Sequence, residues 1–298
     1  MVELHVLEAL DALMWLRSGD QVAERFGISP ATTSRHRHRC LQVFGLSMER
    51  RHGEWQLIGP QELLLLERQV HQMARWKGRR PLRLEATYWS APLLQSPPLE
   101  HWMLGLSNIV GVPRNFELLE QYIVDAWLAG LPDCPGPDHP ELVTIPVTRM
   151  PVFFVVGEGH PLLKRSSLTI EDIAEFPSLA LPEKAYPLVE QALKSMGLWN
   201  DGVRMTRYCR DRWEGKAERE LVVGYGTALS LAVSGESLQP LPLRLPFESG
   251  DALVLRRRFL QHPRLLSLLA SLHTRMAPVV QAHGDVRFDS DFLQRIGA

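Results

Sequence analysis

Two short helical segments joined by a glycine turn constrain the fold of this chain more than any other sequence feature. The first begins at Asp20, a predicted N-cap, and ends at Gly27, a predicted C-terminal stop. Ser29 is a second predicted N-cap because Pro30 follows it at the first helical position, and this helix ends before Gly45. Two capped helices with a glycine between them are typical of a helix-turn-helix.

Positive charge is concentrated in the second of these helices. The 298-residue chain has a formal net charge of −1, but Arg35, Arg37 and Arg39 lie close together, interleaved with histidines. A recognition helix needs basic residues in this position to contact DNA. A charge run is also typical of a solvated helix face, so charge alone leaves both interpretations open.

A short hairpin and a long helix follow. Alternating apolar positions around Gly53 predict a β-hairpin wing, whose tip carries Arg50, Arg51 and His52 within reach of phosphates or the minor groove. Pro60 then opens a predicted helix that ends near residue 76. Its apolar seam predicts either pairing with a second copy or packing on the N-terminal domain, and consists of Leu63, Leu66, Val70 and Met73.

The remaining residues alternate between predicted strands and helices, which is typical of α/β layers. The predicted strands span 81–87, 151–156, 179–182 and 238–245, and residues 125–130 form a short apolar run. The predicted helices span 116–123, 168–174, 189–196, 218–224 and 264–276.

Enzymatic, secreted and membrane classes find no support in the residues. The chain contains no P-loop, H-E-x-x-H or G-x-S-x-G pattern, so we predict no catalytic residue, cofactor or metal site. No apolar run approaches the ~20 residues that span a membrane. The acidic N-terminal residues and three separated cysteines favour a reducing cytoplasm. Cys209, flanked by arginines, is either a redox sensor or an idle thiol, and His160 is a predicted structural cap.

The N-terminal segment resembles the winged helix-turn-helix and linker helix of LysR-type transcriptional regulators. Ser29, Ser34 and Arg35 keep the S-x4-S-R spacing of that family. Three later positions match its G-x-x-L-F-x-R block, namely Gly45, Met48 and Arg51. Thr33 departs from the pattern, since it replaces the usual apolar residue, and Glu49 stands where an aromatic residue is typical.

The larger segment resembles the effector domain of the same family. The family patterns D-x-A-I, F-V-x4-H-P-L and V-x-x-G-x-G-x-x-L correspond to stretches that begin at Asp125, Phe154 and Val222. The resemblance implies an α/β fold with an N-terminal all-α winged helix-turn-helix domain and an effector domain of two α/β lobes like those of periplasmic binding proteins. The expected divisions are the DNA-binding domain 1–59, linker helix and hinge 60–80, effector domain 81–283 and C-terminal tail 284–298. Lobe I would comprise about 81–157 and 247–283, and lobe II about 158–246.

The resemblance implies a sequence-specific DNA-binding transcriptional regulator that responds to a small-molecule effector between its lobes. Double-stranded DNA, the effector and further copies of the chain, as a homodimer or homotetramer, are the expected partners. The alternative is a solute-binding or small-molecule enzyme domain with an incidental helical N-terminus, a function that gives the basic helix and the seam no role. The expected DNA-binding residues are Ser29, Pro30, Ala31, Thr32, Thr33, Ser34, Arg35, Arg37, Arg39, Arg50, Arg51 and His52.

The expected effector site lies where the first strand of the effector domain ends. Thr87, Trp89 and Ser90 lie there, and Ser90 is a predicted cap of a short helix whose backbone N–H groups favour a small carboxylate. The resemblance places Leu181, Tyr225 and Thr227 across the cleft, and the aromatic rings offer flat faces to a ring. The alternative is that Trp89 is a core residue and Ser90 is only a helix cap.

Overall fold

The computed structural model describes residues 2–235 and 237–297, and its N-terminal part is a winged helix-turn-helix. Its elements are α1 (Leu4–Leu16), α2 (Gly19–Phe26), α3 (Pro30–Phe44), β1 (Ser47–Arg51) and β2 (Glu54–Ile58). Ser29 caps α3 by accepting from the Thr32 N–H at 3.1 Å, as predicted. Asp20 does not cap α2, because Ser18 takes that role by accepting from the Asp20 N–H at 3.2 Å.

Backbone conformation confirms the predicted helix ends and the wing turn. Gly27 and Gly45 both have φ near +64°, a left-handed conformation in which an L side chain is strained. In the wing, Arg51 pairs with Glu54, so that His52 and Gly53 form the two-residue turn with φ of 49° and 81°. Two successive positive φ values match the right-handed twist of a hairpin.

The long helix α4 (Glu62–Trp76) begins two residues after Pro60 and has two different faces. Leu64 packs in the core of the winged domain with residues such as Val6, Leu7 and Leu46. Arg68 on the same face is fully buried and donates to Asp11 Oδ1 at 2.8 Å. The helix therefore packs on the N-terminal domain through one face, and its seam lies on another.

The rest of the chain alternates between strands and helices. The strands are β3 (Leu82–Ala86), β4 (Trp102–Leu104), β5 (Ala126–Gly130), β6 (Leu142–Pro146), β7 (Thr148–Gly157), β8 (Leu179–Ala180), β9 (Asp201–Gly202), β10 (Gly224–Gly226), β11 (Leu238–Ser249), β12 (Asp251–Arg256) and β13 (Arg287–Phe288). The helices are α5 (Ala91–Gln95), α6 (Val112–Glu120), α7 (Ile170–Ala174), α8 (Pro187–Ser195), α9 (Arg210–Arg219), α10 (Ala228–Ser234), α11 (Pro263–Ala282) and α12 (Ser290–Ile296).

Two larger sheets organise this part of the chain. One has the strand order β4-β3-β5-β12-β6, with β3 and β4 parallel and β12 and β6 antiparallel. The other has the order β10-β7-β11, with both outer strands antiparallel to β7. Apolar residues such as Phe154, Val156 and Leu193 form a core on the second sheet. Two sheets with helices packed on them match the predicted two-lobed α/β fold.

Two sequence-based assignments differ from the structure, and the C-terminal tail, for which no element was predicted, contains a strand and a helix. A helix predicted over 116–123 begins earlier and spans Val112–Glu120. The helix expected over 218–224 is wrong, since α9 ends at Arg219 and a Val223 bridge with Ser178 follows. The C-terminal tail is structured, because β13 pairs with β7 and α12 follows it.

Contacts divide the chain into two compact units. The first holds the residues up to Glu85 together with 100–106 and 116–126, and the second holds 86–99, 107–115 and the residues from Trp127 on. The first unit contains a buried ionic cluster in which Arg75 binds both carboxylate oxygens of Asp125 at 2.7 and 3.0 Å. Burial lowers the pKa of the Arg83 guanidinium, which lies 3.5 Å from Asp11 Oδ2.

Candidate DNA-binding surface and effector cavity

Helix α3 presents most of the predicted DNA-binding residues to solvent. Arg37 and Thr32 are half-buried, and nine others are exposed: Ser29, Pro30, Ala31, Ser34, Arg35, Arg39, Arg50, Arg51 and His52. A helix whose first turn is exposed and whose N-cap is satisfied can enter a major groove. The predicted residues therefore lie on two accessible elements, the recognition helix and the wing.

Thr33 is the exception, and its prediction as a DNA-binding residue is wrong. Its side chain is only 2% exposed, and its hydroxyl donates to the Ser29 carbonyl oxygen at 3.3 Å. Cys40, seven residues further along the same helix face, is buried as well. Thr33 therefore anchors the helix to the domain core rather than reading bases.

The arginines of this surface are partly held in place by neighbouring groups. The guanidinium groups of Arg37 and Arg50 lie 6.0 and 5.8 Å from the centre of the Trp55 ring, so the wing tryptophan contacts both elements. Arg35 donates to Thr32 Oγ1 at 3.1 Å, and Arg51 pairs with Glu49. All four side chains keep a positive charge that can bind phosphate.

The apolar seam of α4 lies open on the side of the helix away from its buried face. Leu63 is 69% exposed, Leu66 58%, Val70 54% and Met73 37%. Exposed apolar residues at three- and four-residue spacing form one stripe on a helix. Such a stripe favours association with another chain.

A cavity of about 110 Å³ lies in the second unit, beside the carboxyl ends of β3 and β5. Its lining combines aromatic rings with hydroxyl groups and small residues: Thr87, Tyr88, Trp89, Val110, Leu181, Tyr186, Tyr208, Trp213, Tyr225, Thr227, Ser230 and Ser249 are among them. Gly130 lets the Trp89 indole lie against the strand, because a Cβ at this position would come within 2.8 Å of the ring.

Five of the six predicted effector residues line this cavity. Thr87, Trp89, Leu181, Tyr225 and Thr227 meet there from segments that are distant in sequence. The structure therefore brings these five residues together at one cavity, and effector binding there stays a prediction.

Ser90 is the sixth predicted effector residue, and it is not in the lining. It is fully buried, its hydroxyl is bound to Asp251 and Thr87, and it forms no side-chain cap on α5. The predicted capping role is therefore wrong, because the hydroxyl is used to satisfy a buried carboxylate.

Asp251 lies behind the cavity wall and is completely buried. It accepts from the Trp89 indole N–H at 3.2 Å and from the Thr148 hydroxyl at 2.9 Å, in addition to Ser90. Burial raises the pKa of this carboxyl, and the three hydrogen bonds oppose that rise. The bond to the indole fixes the orientation of the Trp89 ring that faces the cavity.

Several backbone N–H groups at the helix starts near this cavity are already bonded. Asp133 caps α8, since its two oxygens accept from the N–H groups of Leu188 at 2.7 Å and Val189 at 3.2 Å. At α10, Thr227 and Ser230 form a reciprocal capping box. At α5, the Ala91 and Leu93 N–H groups bond to backbone carbonyls, and Pro92 has none to offer.

Tyrosines form one wall of the cavity. The rings of Tyr88 and Tyr208 are stacked with centroids 3.5 Å apart and planes 7° from parallel. The Tyr88 hydroxyl donates to Glu214 Oε1 at 3.2 Å. Burial raises the pKa of both tyrosines, so they are neutral at physiological pH.

Three lining residues and one neighbour of the cavity escape sequence reasoning. Tyr186, Tyr208 and Trp213 line the cavity, and Asp133 binds the start of α8, yet none of them belongs to a recognisable motif. Tyr208 is placed by the pairing of its N–H with the Asn108 carbonyl at 2.6 Å, a contact across a hundred residues. No local pattern announces such a contact.

The structure also describes the cysteines and His160. All three cysteines are free, and burial raises the pKa of Cys40 and of Cys134 to about 12, whereas Cys209 is exposed. His160 caps the short helical turn 161–164, because its Nδ1 accepts from the Leu162 N–H at 3.2 Å, as predicted. Within the described residues, no group of three or more His, Cys, Asp or Glu side chains is arranged to hold a metal ion.

Comparison with known proteins finds others with a similar architecture. Residues 86–209 match the family model described as LysR substrate binding domain. A full-length OxyR variant from Pseudomonas aeruginosa is 17% identical, with a TM-score of 0.56, over 93% of this chain and 95% of that one. Full-length BenM is 16% identical, with a TM-score of 0.52, over 93% and 98% of the two chains. CbnR in complex with its target DNA is 13% identical, with a TM-score of 0.50, over 92% and 100%. No curated protein matches the chain.

The fold defines a winged helix-turn-helix protein with a two-lobed α/β domain like that of periplasmic binding proteins. The resemblance to LysR-type regulators is confirmed, because residues 86–209 match the LysR substrate-binding domain model and the chain is similar in fold to full-length regulators of this type. Across residues 2–235 and 237–297, no helix has the length and apolar character to cross a membrane.

Proposed function

We propose that this protein is a sequence-specific DNA-binding transcriptional regulator whose activity responds to a small molecule in the cavity. The exposed, capped and basic helix α3 is the observation that carries the DNA-binding part. The domain divisions given by the sequence, 1–59, 60–80, 81–283 and 284–298, are part of this proposal. A regulator of this kind acts in the cytoplasm. It needs neither catalytic residues nor a cofactor.

The exposed N-terminal part of α3 would read bases. Ala31 and Ser34 are exposed there, and Thr32 is half-buried beside them, so these side chains would face base edges. Arg35, Arg39 and Arg51 would bind mainly phosphates, which fixes the position of the helix without reading sequence.

Two copies of the chain would bind DNA together. The open seam of α4 would pair with the seam of a second copy, and two recognition helices would then lie about one helical turn of DNA, or a multiple, apart. Further association of effector domains would make a tetramer. A solute-binding or enzymatic protein has no use for this seam or for the basic helix.

A gel shift with the full-length protein and DNA from upstream of its own coding sequence tests the proposal. We expect retardation of this DNA at protein concentrations that leave unrelated DNA of equal length free, since specific sites are typically ~10³-fold or more preferred. Ser34→Val should reduce this preference, whereas Arg204→Ala, at an exposed arginine outside the winged domain, should leave it unchanged. Equal binding to both DNAs would contradict sequence-specific regulation.

A further inference from the structure

We propose that the cavity takes an uncharged, single-ring aromatic molecule bearing one hydrogen-bonding group, and that it discriminates against the corresponding carboxylate. This inference rests on the proposed effector role of the cavity. It replaces the carboxylate expected from the sequence.

The size of the cavity is of the order that holds one aromatic ring. Its volume is about 110 Å³. An apolar cavity of roughly 150 Å³ holds benzene. Tyr88, Trp89, Tyr208, Trp213 and Tyr225 surround this space with flat faces, which favour stacked or edge-on contacts with an aromatic ring.

The lining offers no positive charge to an anion. Among the described residues that line the cavity there is no arginine, lysine or histidine. A carboxylate that left water for this space would lose its hydration without gaining a charged partner. Hydroxyl groups such as those of Thr87 and Ser249 can hydrogen-bond a neutral ligand instead.

The protein's own Asp133 occupies the helix end where a ligand carboxylate would otherwise bind. Both of its oxygens are used by the first turn of α8, and the side chain is only 5% exposed. Tyr186 and Val189, at the start of the same helix, line the cavity. A second carboxylate there would meet a like charge and find the N–H groups taken.

Two more acidic groups lie directly behind the wall. Asp251 is bonded to the Trp89 indole, and Glu214 is bonded to the Tyr88 hydroxyl. Glu214 Oε2 is buried and has no hydrogen-bond partner. The acidic groups behind the wall therefore disfavour an anionic ligand and tolerate a neutral one.

Tyr225 supplies the polar contact for the ligand. Its hydroxyl is buried without a hydrogen-bond partner, and its ring packs edge-on against Trp213 at a centroid distance of 5.3 Å. A buried hydroxyl without a partner is costly, and a ligand carbonyl, amide or hydroxyl would satisfy it. This contact specifies one polar atom on the ring.

Calorimetric titration of the full-length protein at pH 8 with benzamide, phenol and benzoate tests the inference. Benzamide and benzoate have nearly the same shape and differ in charge, so their comparison isolates the charge. We expect benzamide or phenol to bind at least tenfold more tightly than benzoate. Tyr225→Phe should weaken benzamide binding about fivefold through the lost hydrogen bond.

Asp133 provides the matched pair of variants. Asp133→Ala opens the N–H groups of Leu188 and Val189 and should strengthen benzoate binding about tenfold, whereas Asp133→Asn keeps an oxygen at the helix end and should not. Retained DNA binding shows that each variant is folded.

The outcomes separate this inference from the proposed function. Three results would overturn the ligand class. Benzoate could bind as tightly as benzamide, neither benzamide nor phenol could show detectable binding, or Asp133→Ala could bind benzoate no more tightly than the parent. If the parent protein does not bind DNA specifically, the regulatory function is contradicted instead, and the ligand preference is unaffected.

Discussion

A double substitution in the seam of α4 tests how two copies of this protein associate. Leu66 and Val70 are 58% and 54% exposed in the single chain, so about half of each side chain is available for burial. Full burial of such a side chain is worth about 1.5–3 kcal/mol, and half of that is about 1 kcal/mol. Four such side chains meet across a two-fold interface. Leu66→Glu/Val70→Glu therefore removes about 4 kcal/mol, or roughly a thousandfold in the dimer dissociation constant.

Sedimentation and light scattering across a micromolar concentration series measure this effect. We expect the parent to be a dimer or tetramer and the double variant to dissociate, with weaker DNA binding through lost avidity. Leu221→Glu is the matched control, because Leu221 is 59% exposed and lies outside α4. A monomeric parent at micromolar concentration, or a double variant that associates like the parent, would refute the seam as the interface.

Three further substitutions have distinct expected outcomes. Arg68→Ala removes the closer of the two guanidinium partners of buried Asp11, leaving Arg83 at 3.5 Å, and should lower the free energy of unfolding in urea by about 3 kcal/mol, whereas exposed Arg35→Ala should change it by less than about 0.5 kcal/mol. Thr33→Ala should cost about 1 kcal/mol of stability and leave site preference in a binding-site selection unchanged. Burial lowers the pKa of His160 below its usual 6.5. The contribution of His160 to stability is therefore complete above pH 6.5 and is lost as the pH falls through the lowered pKa. His160→Gln should flatten this part of the pH profile of the urea midpoint, and an unchanged profile would contradict the assignment.

Local signals made the winged domain predictable. Ser29, Pro30, Gly27 and Gly45 act on their own neighbours in sequence, so helix starts and stops could be read directly. The predicted N-cap of α2 was the wrong residue, because Ser18 and Asp20 are both good capping residues and lie two positions apart. Sequence preference could not choose between them.

Positions that depend on helix phase or distant partners were harder to predict. Thr33 shares a buried face with Cys40 at a seven-residue spacing, but its polar side chain masked that signal. The helix α9 is rich in charges, and the apolar run that follows it was mistaken for a helix, although Val223 pairs in a bridge.

Several residues that line the cavity could be predicted, whereas the hydrogen bonds behind its wall could not. Thr87 and Trp89 were placed by the predicted end of a strand, and Tyr225 by family resemblance, because strand ends and turns have similar spacing in sequence. The occupation of the α8 end by Asp133 depends on a contact between residues 55 positions apart. The buried Asp251 that claims the Ser90 hydroxyl lies 161 positions away. Only the folded chain brings these groups together.

The salt dependence of binding to its own upstream DNA tests the central claim most directly. We expect the logarithm of the association constant to fall linearly with the logarithm of salt concentration, and Arg35→Ala and Arg51→Ala each to reduce the slope by about one, because each removes one phosphate contact. Arg204→Ala should leave the slope of the parent unchanged. If Arg35→Ala and Arg51→Ala bind like the parent across the whole salt series, α3 and the wing are not the DNA-binding surface.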